Sequence, residues 1–339
     1  MKIAGYDIEL EDAVREIRDE GYKRIVLQVP EGLKMHVSKF VEFFEENTDV
    51  DVIVSGDPCF GACDIGYYEF KDLGVDFIVQ IGHAPIPSIK DFYLPMIFAN
   101  AKAEMSVKKV IEKAIPSIDA GRIGLVTTAQ HVDYLDDAKK ILEKNGFQVV
   151  IGYGYSRTKF RGQVLGCNFS AATSIKNDVD VFLFIGSGSF HPLGVMLSTG
   201  KSVIVCDPYM NRVRYKELDD LKDMVLRQRY GAIVRSKDAE VFGILIGIKK
   251  GQQRVDLAYK IKDKLDKQDK KSLMIAMNYF VPSNVESFRG VDCFVSTACP
   301  RIAIDDYMRY ETPIITPFEL DIVLGLKRWD DYRFDEILQ

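Results

Sequence analysis

No apolar run in this chain approaches the roughly 18–20 residues that span a bilayer, so no membrane-spanning segment is expected. The opening residues Met1-Lys2-Ile3-Ala4-Gly5-Tyr6-Asp7 lack the apolar stretch of a secretion signal. A cytoplasmic setting follows as the expectation. Basic side chains are not in surplus: 45 Lys and Arg face 50 Asp and Glu, for a net charge of −5. Direct nucleic-acid binding, which leans on excess positive charge, is therefore not expected. The six cysteines follow no local metal-finger spacing. In a reducing compartment such residues are free thiols or metal ligands rather than disulfides.

What is present is a globular composition, 47% hydrophobic and 28% charged, over 339 residues. That length exceeds one ordinary core and predicts two or three domains. One order of elements occurs three times: strand, amphipathic helix, strand, helix, strand. In the first copy the strands read Ile25–Gln28, Val52–Ser55 and Phe77–Ile81. A helix near Leu33–Glu46 joins the first two, with Val37, Phe40, Val41 and Phe44 at helical spacing. The second copy has strands Ile123–Thr127, Gln148–Ile151 and Val181–Ile185, with a helix near Tyr134–Asn145 that Gly146 stops. The third has Phe242–Ile248, Leu273–Met277 and Cys293–Thr297, with a charged helix near Arg254–Lys267. An aspartate opens the third strand each time, at Asp76, Asp180 and Asp292. Strands alternating with helices of this length make right-handed crossovers and parallel sheets. The chain thus reads as three similar α/β domains, 1–100, 101–212 and 213–339.

In open parallel sheets, ligands bind at the carboxyl ends of the strands. Cys63 lies after the second strand of copy one, in Gly61-Ala62-Cys63-Asp64, and Cys167 after the second strand of copy two, in Gly162–Asn168. Cys299 follows the third strand of copy three, in Ala298-Cys299-Pro300-Arg301. One thiol per unit, each beside Gly, Ala or Pro, points to a shared metal site, since such neighbours let a bulky ligand approach the backbone. The competing reading is that these are small buried apolar residues. Cys293 sits inside an apolar strand and reads as core; Cys206 reads as core but stands at the ligand edge. Cys59-x-x-x-Cys63-x-x-Gly66 imitates the common three-cysteine motif of radical enzymes, with glycine in place of the last thiol. The local motif is broken, and any further ligands come from elsewhere in the chain.

Several segments, in order along almost the whole sequence, resemble the archaeal enzymes of the first step of diphthamide biosynthesis, the 2-(3-amino-3-carboxypropyl)histidine synthase family. They are the three cysteine segments above, Val126–His131, Phe184–Gly188 with His191–Gly194, Ile248–Gln252 and the C-terminal Phe334-Asp335-Glu336-Ile337-Leu338. The resemblance implies a homodimer of three-domain chains, with the three-layer units set in pseudo-threefold symmetry around a 4Fe–4S cluster on Cys63, Cys167 and Cys299. It implies transfer of the 3-amino-3-carboxypropyl group from S-adenosylmethionine to a histidine of elongation factor 2. It selects Cys63 over Cys59 as the first ligand.

Three thiolates on a four-iron cluster leave one iron open to the cosubstrate. A carbon radical meets the further need, because the imidazole nitrogens rather than its carbons are nucleophilic. On this reading Gly186, Ser187, Gly188, Gln130, Gln252 and Arg301 are expected to bind S-adenosylmethionine. The glycines would open backbone amides to it, and Arg301 would pair with its carboxylate. His191 is the expected proton acceptor, with His131 a second candidate. Lys249-Lys250 reads as a solvated turn. The electron donor carries no signature in the sequence. Two rivals remain: a three-domain 4Fe–4S Lewis-acid enzyme resembling quinolinate synthase, and a binding protein with a structural zinc on three cysteines.

Overall fold

Alternation of apolar side chains along each central strand decides that both faces of its sheet are covered. In the strand Arg24–Gln28, Ile25 and Leu27 pack with Leu10, Ile17, Phe40 and Phe44, while Val26 turns to Ile65, Phe70 and Ile78 on the other face. In Val181–Ile185, the odd-numbered residues meet Ile111, Leu135 and Leu142, and Phe182 and Phe184 meet Phe169, Leu193 and Val225. In Val241–Gly247, Phe242, Ile244 and Ile246 face Ile261 and Leu265, and Leu245 faces Val285 and Ile302. Each sheet is thus the middle of a three-layer α/β unit. The computed structural model describes residues 1–66 and 68–338.

The three sheets share one strand order. Numbered within each unit, it is second, first, third, fourth, with all four strands parallel. The fourth strands, Met96–Ala99, Val203–Asp207 and Ile314–Ile315, extend the three expected from sequence. The middle sheet adds an antiparallel edge, Arg212–Arg214. A short antiparallel sheet of Lys2–Ile3, Tyr6–Ile8 and Ala101–Ala103 pairs with none of these, and its Ile3, Ile8 and Ala101 pack in the core of the first unit.

The repeated aspartate has a single job. Asp76 accepts from the Lys23 and Arg24 amides (2.8 and 3.1 Å), Asp180 from the Arg122 amide (3.1 Å), and Asp292 from the Glu240 and Val241 amides (3.0 and 2.9 Å). The third strand therefore caps the start of the first in every unit. Two units share a packing device as well. Gly124 faces Phe182 in register, and Gly243 faces Phe294; a Cβ at either glycine would lie 2.5 Å from the ring.

The first crossover helices match expectation, as Val37–Asn47, Leu135–Lys144 and Val255–Asp266, each preceded by a 3₁₀ turn. The second crossovers do not. Where a helix was expected there are four-residue turns, Tyr68–Lys71, Ser170–Thr173 and Pro282–Val285. In the first two units, the residues that would lengthen them are spent on the loops that carry the cysteines.

The long helix Lys216–Arg235 joins the last two units: Leu218 and Val225 enter the middle core, and Ala232 the last. From it the fully buried Arg229 donates to both Glu319 oxygens (2.8 and 2.6 Å), to the Ile314 carbonyl (2.8 Å) and to the Ala303 carbonyl. Ala303 lies on the short helix Pro300–Ile304 that begins just after Cys299. Removing one partner of a buried pair strands the other charge, a loss of about 3–5 kcal/mol. Glu319→Ala should destabilise the chain by that amount in urea unfolding. A loss below about 1 kcal/mol, the range of exposed pairs, would show that this pair does not order the third unit.

Candidate active site

Three of the loops at the carboxyl ends of the strands carry the thiols. Cys63 follows Asp51–Val54, Cys167 follows Gln148–Val150, and Cys299 follows Cys293–Ser296. All three line one cavity of about 530 Å³, within the range of small-ligand sites. Burial pushes the Cys63 thiol up to about 12, and the neighbouring Cys167 adds to the rise. Cys299 is raised by burial and then by Cys63 and Cys167; Cys167 is raised by burial as well. Sulfurs that sense one another in this way can share a ligand, and binding a cation there would release their protons. Among the described residues, no three His, Cys, Asp or Glu side chains are placed to hold a single metal ion.

Residues of the third unit pin all three loops. The backbone of Gly251, in the third unit, lies against Cys63: a Cβ there would sit 2.4 Å from the Cys63 Cα and 2.8 Å from its carbonyl oxygen. Beside it, the buried Lys249 pairs with the buried Asp64, and its ammonium lies 4.0 Å from the Tyr279 ring centre. Asp64 also accepts from the Phe60 amide at 3.0 Å. The C-terminal tail holds the other two loops. Arg254 donates to the Thr297 and Ala298 carbonyls (2.6 and 2.9 Å) and pairs with Asp335 at 2.7 Å. The Ile337 amide donates to the Cys167 carbonyl at 2.8 Å, and Glu336 accepts from the Phe169 amide at 2.7 Å.

A family described as "Putative diphthamide synthesis protein" matches residues 29–333. This chain belongs to that family. It is 37% identical over 335 residues to the 2-(3-amino-3-carboxypropyl)histidine synthase of Pyrococcus horikoshii, covering 98% of this chain and 94% of that one. The Methanocaldococcus jannaschii protein of the same name is 31% identical, with 98% and 93% covered. The crystal structure of Dph2 from Pyrococcus horikoshii with a 4Fe–4S cluster superimposes with a TM-score of 0.89 at 37% identity, covering 98% and 94% of the two chains.

The remaining residues singled out from sequence divide in two. Gln252, Gln130, Arg301 and His191 line the cavity with the three cysteines. Gln252 directs its amide N–H to the Cys63 sulfur at 3.8 Å. Gln130 donates to the Gly82 carbonyl at 3.3 Å. Arg301 is held by Asp305 at 2.7 Å and stacks 4.3 Å from the Phe190 ring centre. His191 stacks on Phe184, and burial drops it to about 4, so it is neutral at pH 7. Gly186, Ser187 and Gly188 end their strand away from the cavity lining, where Arg214 grips the Gly188 carbonyl at 2.7 Å.

His131 is bound to Thr128 and Tyr209 (3.2 and 3.0 Å) and sits outside that lining. Cys59 is absent from the lining and meets Gln80 and the cavity-wall residue His83 (3.8 and 4.0 Å), while Cys206 and Cys293 lie in apolar cores. Lys249-Lys250 is not a solvated turn: Lys249 is 6% exposed, and Lys250 bonds the Lys90 and Asp91 carbonyls. Sequence reasoning missed His83, which lies in no recognisable motif and is brought to the cavity wall only by folding.

Gly251 has no room for a side chain because its neighbour is backbone. Gly251→Ala should push the Cys63 loop away and lower stability by about 1–3 kcal/mol, the usual range for overpacking. Thermal unfolding would measure it; an unchanged midpoint would mean that the two backbones do not touch.

Proposed function

We propose that this chain transfers the 3-amino-3-carboxypropyl group of S-adenosylmethionine to C2 of a histidine in elongation factor 2, the first step of diphthamide biosynthesis. A 4Fe–4S cluster on Cys63, Cys167 and Cys299 would serve the reaction. The observation that carries this reading is the meeting of three thiols, one from each α/β unit, in a single cavity of a chain from this family. The donor set fits the group, since three thiolates leave one iron without a protein ligand. When bound, the cluster supplies the electron that breaks the bond between the sulfonium and the methionyl γ-carbon.

The chain's own part is to hold and to orient. The Gln252 amide gives its hydrogen bond to one ligand sulfur, which is a lever on cluster potential. Arg301, steadied by Asp305 at the cavity wall, is the cation for the cosubstrate carboxylate. Gln130 flanks the same space. His191 is neutral and stacked in place, free to take the C2 proton as the modified ring regains aromaticity. The units are taken to divide near residues 100 and 212, and two chains are taken to form a homodimer. Among the described residues no helix is long and apolar enough to cross a membrane. The Lewis-acid rival has no use for S-adenosylmethionine and would yield no methylthioadenosine.

Replacing Cys63, Cys167 or Cys299 with alanine should strip most of the iron and abolish turnover. Cys206→Ala, Cys293→Ala and Cys59→Ser should keep both. A Cys167→Ala protein with four irons per chain and full activity would refute the ligand set. Under dithionite, without acceptor, the products should be methylthioadenosine and small amino acids such as 2-aminobutyrate. With elongation factor 2 present, its histidine should gain about 101 Da, the composition of the transferred group in place of hydrogen. 5′-Deoxyadenosine as the main product would sink the proposed bond cleavage. Light scattering near the chain's own 38.4 kDa would refute the dimer.

A further inference from the structure

Where the cavity meets water, its wall is made of Phe60, Val281, Arg301, Asp305 and Arg309, the exposed members of the lining. Phe60 is the largest apolar group among them and is 71% exposed. Met308, on the turn Tyr307–Arg309 beside the same wall, is exposed as well. The loop under Phe60 is firmly held. Lys34 donates to the Gly56 and Asp57 carbonyls (3.0 and 2.8 Å), the Phe60 amide donates to Asp64 (3.0 Å), and Gln80 donates to the Gly61 carbonyl (3.2 Å). Backbone on both sides of Phe60 is thus fixed while its ring is left in water. The charges of the rim are already matched: Arg301 pairs with Asp305 at 2.7 Å and Arg309 with Asp306 at 3.2 Å. This edge therefore offers apolar contact between neutralised pairs rather than a field of one sign.

We propose that this rim, with Phe60 as its anchor, is the docking surface for the protein substrate, and that it receives an apolar patch flanking the histidine to be modified. The inference rests on the reaction proposed above. In that reaction a histidine of a second folded protein has to reach the cavity, and the segment that carries it enters over the exposed part of the wall. Covering the Phe60 ring takes apolar surface out of water. Because the loop is already held, no ordering of backbone opposes that gain, which is what makes a rigid aromatic an interface anchor. The first unit supplies Phe60 and the third supplies Val281 and Met308, so the incoming segment lies across the junction of two units. None of these three side chains is needed to hold the cluster or the cosubstrate, so docking and bond cleavage are separable.

The test compares the reconstituted, full-length wild type with Phe60→Ser and Phe60→Tyr. Three quantities are measured: iron per chain, methylthioadenosine formed under dithionite without acceptor, and kcat/KM for modification of elongation factor 2. Phe60→Ser should keep its iron and its acceptor-free cleavage yet lose about tenfold in kcat/KM for the protein, the scale of an interface anchor, with the loss in KM. Phe60→Tyr, which keeps the ring, should stay close to wild type. A wild-type kcat/KM in Phe60→Ser would overturn the inference. Loss of iron or of acceptor-free cleavage in Phe60→Ser would overturn it too, because the ring would then serve the cluster loop or the cosubstrate. Light scattering separates the occupants: a wild-type dimer that becomes a monomer in Phe60→Ser would show the rim covered by a second copy of this chain, against the proposal. A wild type that forms no methylthioadenosine would instead overturn the proposed reaction, and this inference with it.

Discussion

Three thiols share one cavity, where burial and mutual repulsion both oppose their charged forms. The loops that carry them belong to three separate sheets, and nothing local in the chain holds them together. What does so is a set of buried ion pairs, one of which reaches across units. Lys249 with Asp64 ties the third unit to the Cys63 loop. Arg254 with Asp335 ties the Cys299 loop to the C-terminal tail, which in turn holds the Cys167 carbonyl. Arg229 with Glu319 fixes the helix that starts after Cys299. Such pairs add little net stability over apolar packing, but they accept few alternative geometries. That rigidity suits a site whose ligands must meet at set distances.

Within this frame the three units are alike in scaffold and unlike at the edge. They share a strand order and an aspartate that caps the first strand from the third. Yet the first two offer their cysteine after the second strand, and the last offers it after the third. The loop left free in the last unit, after Lys271–Met277, puts Asn278, Tyr279 and Phe280 into the cavity wall. A strictly threefold site would surround its ligand evenly. This one is uneven: its wall holds the three thiols and, from the last unit alone, Asn278, Tyr279 and Phe280.

The polar groups along that wall are suited to a reaction that needs little acid strength. His83 and His191 are both held near 4 by burial and are neutral at physiological pH. The cation expected to meet an incoming carboxylate, Arg301, is already oriented by Asp305 and by the Phe190 ring. Chemistry at such a site comes from positioning and from the bound group rather than from strong bases.

The amino-acid sequence alone determined the three-unit α/β plan, because hydrophobic period and strand–helix alternation are local properties. It also marked the three cysteines, through their place after strands and their small neighbours, and through ordered motifs shared with a family. The shortened second crossovers, the fourth strands of the first and last units and the placing of Lys249, Arg157 and the tail were not legible. Each depends on partners far apart in the chain: Lys249 meets Asp64 185 residues away, and Arg157 meets Gly251 across 94. A lysine pair on a turn looks solvated until a buried carboxylate is brought to it. Likewise Gly186-Ser187-Gly188 looks like a ligand loop by composition, whereas Arg214 and the packing of Phe184 set it apart from the cavity lining. Local pattern chose the scaffold, and only long-range packing chose which charges were buried and beside what.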